Sequence, residues 1–158
     1  MKKNHSTRSA FTLIELLVVI SVLGVLVAVM LPNLLGVRAR ARDSAKKNDL
    51  RQLKTAIRMY YNDFQFYPAD DDDGNIVACG ANGNLNCPNN DESFAIGDKI
   101  YMKEMISSDQ FDYVQLSGGE DFLLSTVMEN SSDTDISDSA ARCNVASPVS
   151  AAYYICAD

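Results

Sequence analysis

Glu15 stands alone in an apolar stretch, and a lone carboxylate there needs a partner or a route to water. From Phe11 to Leu31 the chain reads FTLIELLVVISVLGVLVAVML, 21 residues with that single charge. A charge at the centre of a bilayer costs about 2.5–3.5 kcal/mol on insertion scales. Four residues into the segment, Glu15 either reaches the headgroups or neutralises a nearby cation. The cysteines carry the second chemistry. Cys79, Cys87, Cys143 and Cys156 lack the C-x₂₋₄-C spacing of a zinc site, and the one histidine, His5, lies near the N-terminus. They read as two disulfides. Three pairings are open, and Cys79–Cys87 with Cys143–Cys156 is favoured because each closes a short loop. The third group is Asp133, Asp135 and Asp138, spaced to donate oxygens together to calcium, with a solvated acidic loop as the alternative. Asp70 to Asp73 with Gly74 do not make an EF-hand loop, since counting back from Gly74 puts the first ligand on Ala69 and the twelfth on Gly80. There is no histidine beyond residue 5, no Gly-rich phosphate loop before a helix, and no carboxylate pair singled out by spacing. An enzyme is therefore not expected, and calcium is the one cofactor the sequence suggests.

These groups sit in a chain whose charge is strongly segregated. Of the 158 residues, 1–10 carry +3, 11–37 carry only Glu15, 38–58 carry +6 and 59–158 carry −15. With 47% hydrophobic and 22% charged residues, a disordered or collagen-like chain is excluded. The acidic distal half repels phosphate, so nucleic acid is not expected as a main partner; only the basic 38–58 stretch would suit it. The apolar stretch is long enough to span a hydrocarbon core of about 30 Å as a helix. Lys2, Lys3 and Arg8 place the N-terminus in the cytoplasm. A secretory signal cleaved after Ala39-Arg40-Ala41 is the rival reading, but the apolar stretch is longer than such signals use.

Beyond Pro32 a second helical segment follows. Leu50, Leu53, Ile57, Tyr60 and Phe64 recur at spacings of three and four, the stripe of a core-facing amphipathic helix, with Arg51, Lys54 and Arg58 off it. Pro68 is expected to close this helix, and Pro32 with Gly36 to interrupt it. The basic run Arg38, Arg40, Arg42, Lys46 and Lys47 allows three readings: a solvated or headgroup-facing surface, a contact with a neighbouring protomer's acidic domain, or DNA. After Pro68 the chain is rich in Gly, Asn and Asp and reads as irregular loops. Ile100 to Ile106 reads as a short helix, Tyr113–Leu116 and Phe122–Met128 as a β-hairpin, and Ala152–Cys156 as a last strand.

A basic leader, a small residue and then FTLIELLVVISVLGVLVAVMLPNLL closely resemble the class III signal and N-terminal helix of bacterial type IV pilins and type II secretion pseudopilins, over about residues 1–68. The resemblance implies that prepilin peptidase cuts between Ala10 and Phe11 and that Phe11 becomes the N-methylated first residue. Ala10 stands where the family usually has Gly. The resemblance also gives filament-assembly roles to Phe11, Glu15 and the helix-breaking Pro32. Cleavage leaves an amine on Phe11 four residues from Glu15, and pairing of that carboxylate with a neighbour's amine would make assembly register-dependent. The implied fold is α+β, a long N-terminal helix whose second half packs on a small antiparallel sheet. The implied organisation is a leader over 1–10, a transmembrane and assembly helix over 11–31, an amphipathic continuation over 32–67, and an extracytoplasmic disulfide-stapled domain over 68–158. Some pseudopilins use calcium to fix a distal loop, a role that would fall to Asp133, Asp135 and Asp138. The expected function is a structural filament subunit, of either a pilus or a pseudopilus. Its expected partners are like subunits, prepilin peptidase, inner-membrane assembly machinery and, before assembly, the lipid bilayer. The expected location is the inner membrane first and an extracytoplasmic filament afterwards. A monomeric membrane-anchored binding domain is the alternative.

Overall fold

The computed structural model describes residues 11–88 and 93–157, with no side chains described at 31–35. The leader residues 1–10, and with them Ala10 and the basic residues before it, lie outside the described residues. One helix, α1, runs over Leu13–Phe64, and the chain divides into two units after Arg38. The expected interruption does not occur: α1 is continuous through Pro32 and Gly36. A proline removes one N–H donor, and a helix bonded on both sides of it continues past the gap.

The unit from Ala39 onward contains the second half of α1, three small antiparallel sheets and a short helix. Strands β1 (Ala69–Asp70), β2 (Ile76–Cys79) and β3 (Leu85–Cys87) form the first sheet, and β4 (Phe94–Ile96) and β5 (Lys99–Met102) the second. Strands β6 (Asp112–Leu116), β7 (Asp121–Val127) and β8 (Ala152–Cys156) form the third, with helix α2 (Thr134–Arg142) between the last two in sequence. The β6–β7 hairpin and the final strand lie where alternation placed them, with Val114 opposite Leu123 and Ser125 opposite Tyr154. Phe122, Leu124, Thr126 and Met128 turn inward, as a period of two requires.

The core is the α1 stripe set against these sheets. Leu50, Leu53, Ala56, Ile57 and Tyr60 are buried together with Ile76, Phe94, Tyr113, Phe122, Leu124 and Ile155. Each fully buried large side chain contributes about 1.5–3 kcal/mol of transfer free energy. The third sheet is covered on both faces. Tyr153 and Ile155 join the main core, while Ala152 and Tyr154 pack with Ala140 of α2 and Val145. The Tyr113 hydroxyl donates to the Pro68 carbonyl at 2.7 Å in the interior, and burial pushes its phenol pKa up.

Five expectations are corrected here. Phe64, at the end of the stripe, is 41% exposed and meets the rings of Tyr60 and Phe66 at the margin of the core. The helix ends at Phe64, short of Pro68, because Gln65 takes a left-handed φ of 63° and donates to the Tyr61 carbonyl. The stretch expected to be irregular loops holds strands β1 to β3, and the expected helix over Ile100–Ile106 begins instead as β5. A two-residue turn at Gly97-Asp98 pairs Ile96 with Lys99, and alternation buries Tyr101 while Ile100 faces solvent. The acidic loop around Asp133–Asp138 is mostly helix α2, capped by the Asp133 carboxylate on the Asp135 N–H.

Candidate functional site

The first half of α1 presents exposed apolar side chains. Leu13–Met30 has a mean hydropathy of 2.9 and is 0% buried, with Phe11 84% and Leu13 82% exposed. This is one helix long and apolar enough to cross a membrane. Its start is fixed by a reciprocal cap that the sequence analysis did not use. Glu15 Oε2 accepts from the Thr12 N–H at 2.9 Å and from the Thr12 hydroxyl at 2.7 Å, while the Glu15 N–H donates back to Thr12 Oγ1 at 3.4 Å. The signal was present as T-x-x-E, the capping-box spacing. In the isolated chain the carboxylate is therefore held locally, one turn from Phe11, and remains exposed to a second partner.

Downstream, the basic run and the acidic distal segment meet within one chain. Arg42 Nε and one terminal nitrogen donate to the two oxygens of Glu129 at 2.7 and 2.5 Å, and Lys46 donates to the Val127 carbonyl at 2.8 Å. Lys47 Nζ bridges Asp133 and Asp135 at 2.6 Å each and lies 5.5 Å from the centre of the Tyr153 ring. Asp43, 1% exposed, accepts the Glu129 and Asn130 N–H groups at 2.8 Å each. Burial opposes the Lys47 charge, but the hydrogen bonds to Asp133 and Asp135 outweigh it and hold the ammonium pKa above its ordinary value. Hydrogen bonding from Lys47 holds the Asp133 carboxyl below its ordinary value, and Arg42 does the same for Glu129.

This arrangement changes two readings. Arg42, Lys46 and Lys47 find acceptors in their own chain, and Arg38, Arg40 and Arg42 are exposed. Of the calcium candidates, Asp133 and Asp135 converge on an ammonium, Asp133 also caps α2, and Asp138 sits further along that helix. The Lys47 ammonium stands where the Asp133 and Asp135 oxygens meet. Among the described residues no group of three acidic, histidine or cysteine side chains is placed to hold a metal. In the Asp70–Asp73 loop, Asp71 instead accepts from the Asp73 and Asn75 N–H groups and from the Asn75 and Asn86 amides.

The cysteines are joined as Cys79–Cys87, between β2 and β3, and Cys143–Cys156, between the end of α2 and β8. Their Cα atoms are 5.4 and 5.6 Å apart. Loops of 8 and 13 residues correspond to about 3 kcal/mol or less each in the chain-entropy model.

Comparison with known proteins bears on the N-terminal region. Residues 5–31 match the family model of the prokaryotic N-terminal methylation motif. The type II secretion system core protein G of Vibrio cholerae serotype O1 is 38% identical over 71 residues, 45% of this chain and 48% of that protein. The corresponding protein of Aeromonas hydrophila is 39% identical over 61 residues, 39% of this chain and 43% of the relative. The type IV major pilin protein PilA of Myxococcus xanthus is 37% identical over 57 residues, 36% of this chain and 26% of that pilin. The chain thus spans about half the length or less of the curated relatives it matches. No solved structure matches it. The chain thus carries a prokaryotic N-terminal methylation motif and is similar over part of its length to type II secretion core protein G and to a type IV major pilin.

Proposed function

We propose that this chain is a structural subunit of a type IV pilus or type II secretion pseudopilus, made as a single-pass inner-membrane precursor. Prepilin peptidase removes the leader between Ala10 and Phe11, Phe11 is N-methylated, and the mature chain polymerises through its N-terminal helix with like subunits. The observation that carries this reading is the exposed apolar face of Leu13–Met30 with Glu15 at its start. Such a face needs hydrocarbon around it, first lipid and then the helices of other copies. Inside a helix bundle, an unpaired Glu15 is costly, and the amine on a neighbour's Phe11 relieves that cost only at one stagger. Pro32 contributes by lacking an N–H donor, which makes its turn of α1 the easiest to open on assembly. The role is structural and not enzymatic. The distal unit, tied by two disulfides, forms the filament exterior outside the cytoplasm.

The test is the mass and N-terminal sequence of the protein from its native cell, together with the filament yield of Glu15→Ala. A methylated Phe11 terminus and a collapse of yield in the variant are expected. An intact leader with unchanged behaviour of Glu15→Ala would mean a monomeric anchored domain instead.

A further inference from the structure

We propose that, before assembly, the part of α1 inside the hydrocarbon is Leu16–Val37. Glu15 holds one end at the cytoplasmic headgroups, and Arg38 holds the other on the phosphate groups of lipids in the opposite leaflet. The inference rests on the reading of the chain as an inner-membrane precursor. All of these residues lie in the unit that ends at Arg38.

The uncharged part of α1 sets the length. From Leu16 to Val37 there are 22 residues without a charge, bounded by Glu15 and Arg38. At 1.5 Å per residue that run is about 33 Å long, close to the 30 Å or so of hydrocarbon it must cross. The helix is unbroken over it. Its polar groups are provided for: Ser21 donates to the Val18 carbonyl at 2.8 Å, and Asn33 stands four residues, about 6 Å, from the outer end.

The start of α1 argues for this register over one beginning at Phe11. The first N–H groups of a helix have no carbonyl within the helix to bond, and hydrocarbon offers them none. α1 starts at Leu13, and the Leu16 N–H donates to the Thr12 carbonyl at 3.4 Å. The same turn holds the Glu15 carboxylate, fixed by the Thr12 N–H and hydroxyl. A span over Phe11–Leu31 would carry this turn and its carboxylate into the hydrocarbon. A span over Leu16–Val37 leaves both among headgroups and water. Phe11, five residues before Leu16, then stands where water for hydrolysis of the Ala10–Phe11 bond is at hand.

The far end selects the partner. With the span ending at Leu31, Arg38 would lie about 10 Å beyond the hydrocarbon, past a headgroup layer of about 5–7 Å. With the span ending at Val37, Arg38 falls within that layer. It is exposed on α1, and its planar guanidinium matches a phosphate diester. An acid at one end and a cation at the other resist sliding in either direction, because each slide carries a charge into hydrocarbon.

The experiment uses the full-length precursor in vesicles of phosphatidylethanolamine and phosphatidylglycerol, in phosphate-free buffer. The chain has no tryptophan, so Ile20→Trp and Leu26→Trp each place a single reporter at an exposed position. Lipids brominated at different depths quench it and report its depth. Leu26→Trp is expected about 1 Å from the bilayer centre and Ile20→Trp about 10 Å from it. The reverse order would place the span at Phe11–Leu31, overturning the register while leaving the membrane precursor standing. No quenching at either position would overturn both. The second measurement is ³¹P dephasing of the arginine guanidinium ¹⁵N signals by solid-state NMR. Arg38→Lys is expected to remove one dephased signal from those of the seven arginines. Equal dephasing in the natural and Arg38→Lys chains would overturn the phosphate contact. Dephasing of Arg38 by ¹³C-carboxylates of separately labelled copies, in place of ³¹P, would make the partner a second copy and overturn the lipid.

Discussion

The two halves of α1 are helical for different reasons, and the contrast separates what folds this protein from what it is built to join. Between Leu13 and Met30 every side chain is exposed. Between Leu50 and Tyr60 the same helix buries a stripe to a few per cent exposure against three sheets. An apolar residue in the first half therefore acts through other molecules, and one in the second acts through the fold. The charges divide the same way. Among the described residues Glu15 is held by its near neighbour Thr12, whereas Arg42, Asp43 and Lys47 are tied to residues more than eighty positions away.

The sharpest way to break this contrast is to truncate one leucine in each half. Leu53→Ala should destabilise the disulfide-stapled unit by about 2–5 kcal/mol, seen as a lower Tm or denaturation midpoint. Leu17→Ala, from a residue 54% exposed, should leave that midpoint unchanged. If the two variants lose equal stability, the first half also belongs to the folding unit. A smaller effect is expected at Asp43. Replacing it by Ala leaves the Glu129 and Asn130 N–H groups without their acceptor, a loss of about 1–3 kcal/mol readable by denaturant titration. An unchanged midpoint would mean that water replaces the carboxylate and that the loop is not held by it.

Smallest is the pH dependence of the charged clasp. Asp133 and Glu129 have folded pKa values held below their ordinary 3.8 and 4.5. Their contribution is complete above those ordinary values and is lost as pH falls through the lowered folded ones. For Lys47 the sign is reversed, since its folded pKa lies above 10.5: its contribution is present below that pH and lost as pH rises through the folded value. Thermal melts between pH 5 and pH 3 should therefore show a steeper loss for the natural chain than for Lys47→Met. Equal slopes would place the acid sensitivity elsewhere.

Much of this was legible where the signal is local. The apolar run with its single acid, the alternation of Phe122 to Met128 and the tight Tyr113–Met128 hairpin each depend on neighbours in sequence, and each appears in the structure where expected. The Cys79–Cys87 and Cys143–Cys156 links close loops of 8 and 13 residues, short enough for proximity along the chain to select them. Two further local signals, the Gly97-Asp98 turn and the T-x-x-E cap at Thr12, were equally present and were passed over.

Strands of two to four residues in β1 to β5 were beyond the sequence, because too few alternations fit in them to be counted and their pairing comes from the core they cover. The fate of the basic run was equally hidden. Arg42 and Lys47 meet Glu129, Asp133 and Asp135 across 86 to 88 residues, so only the folded chain shows that these charges come together. Composition and spacing by themselves determined which segment is apolar enough for a membrane and which is not. Tertiary structure decided which charges are left over, because an ion pair depends on distance in space, and sequence separation does not report it.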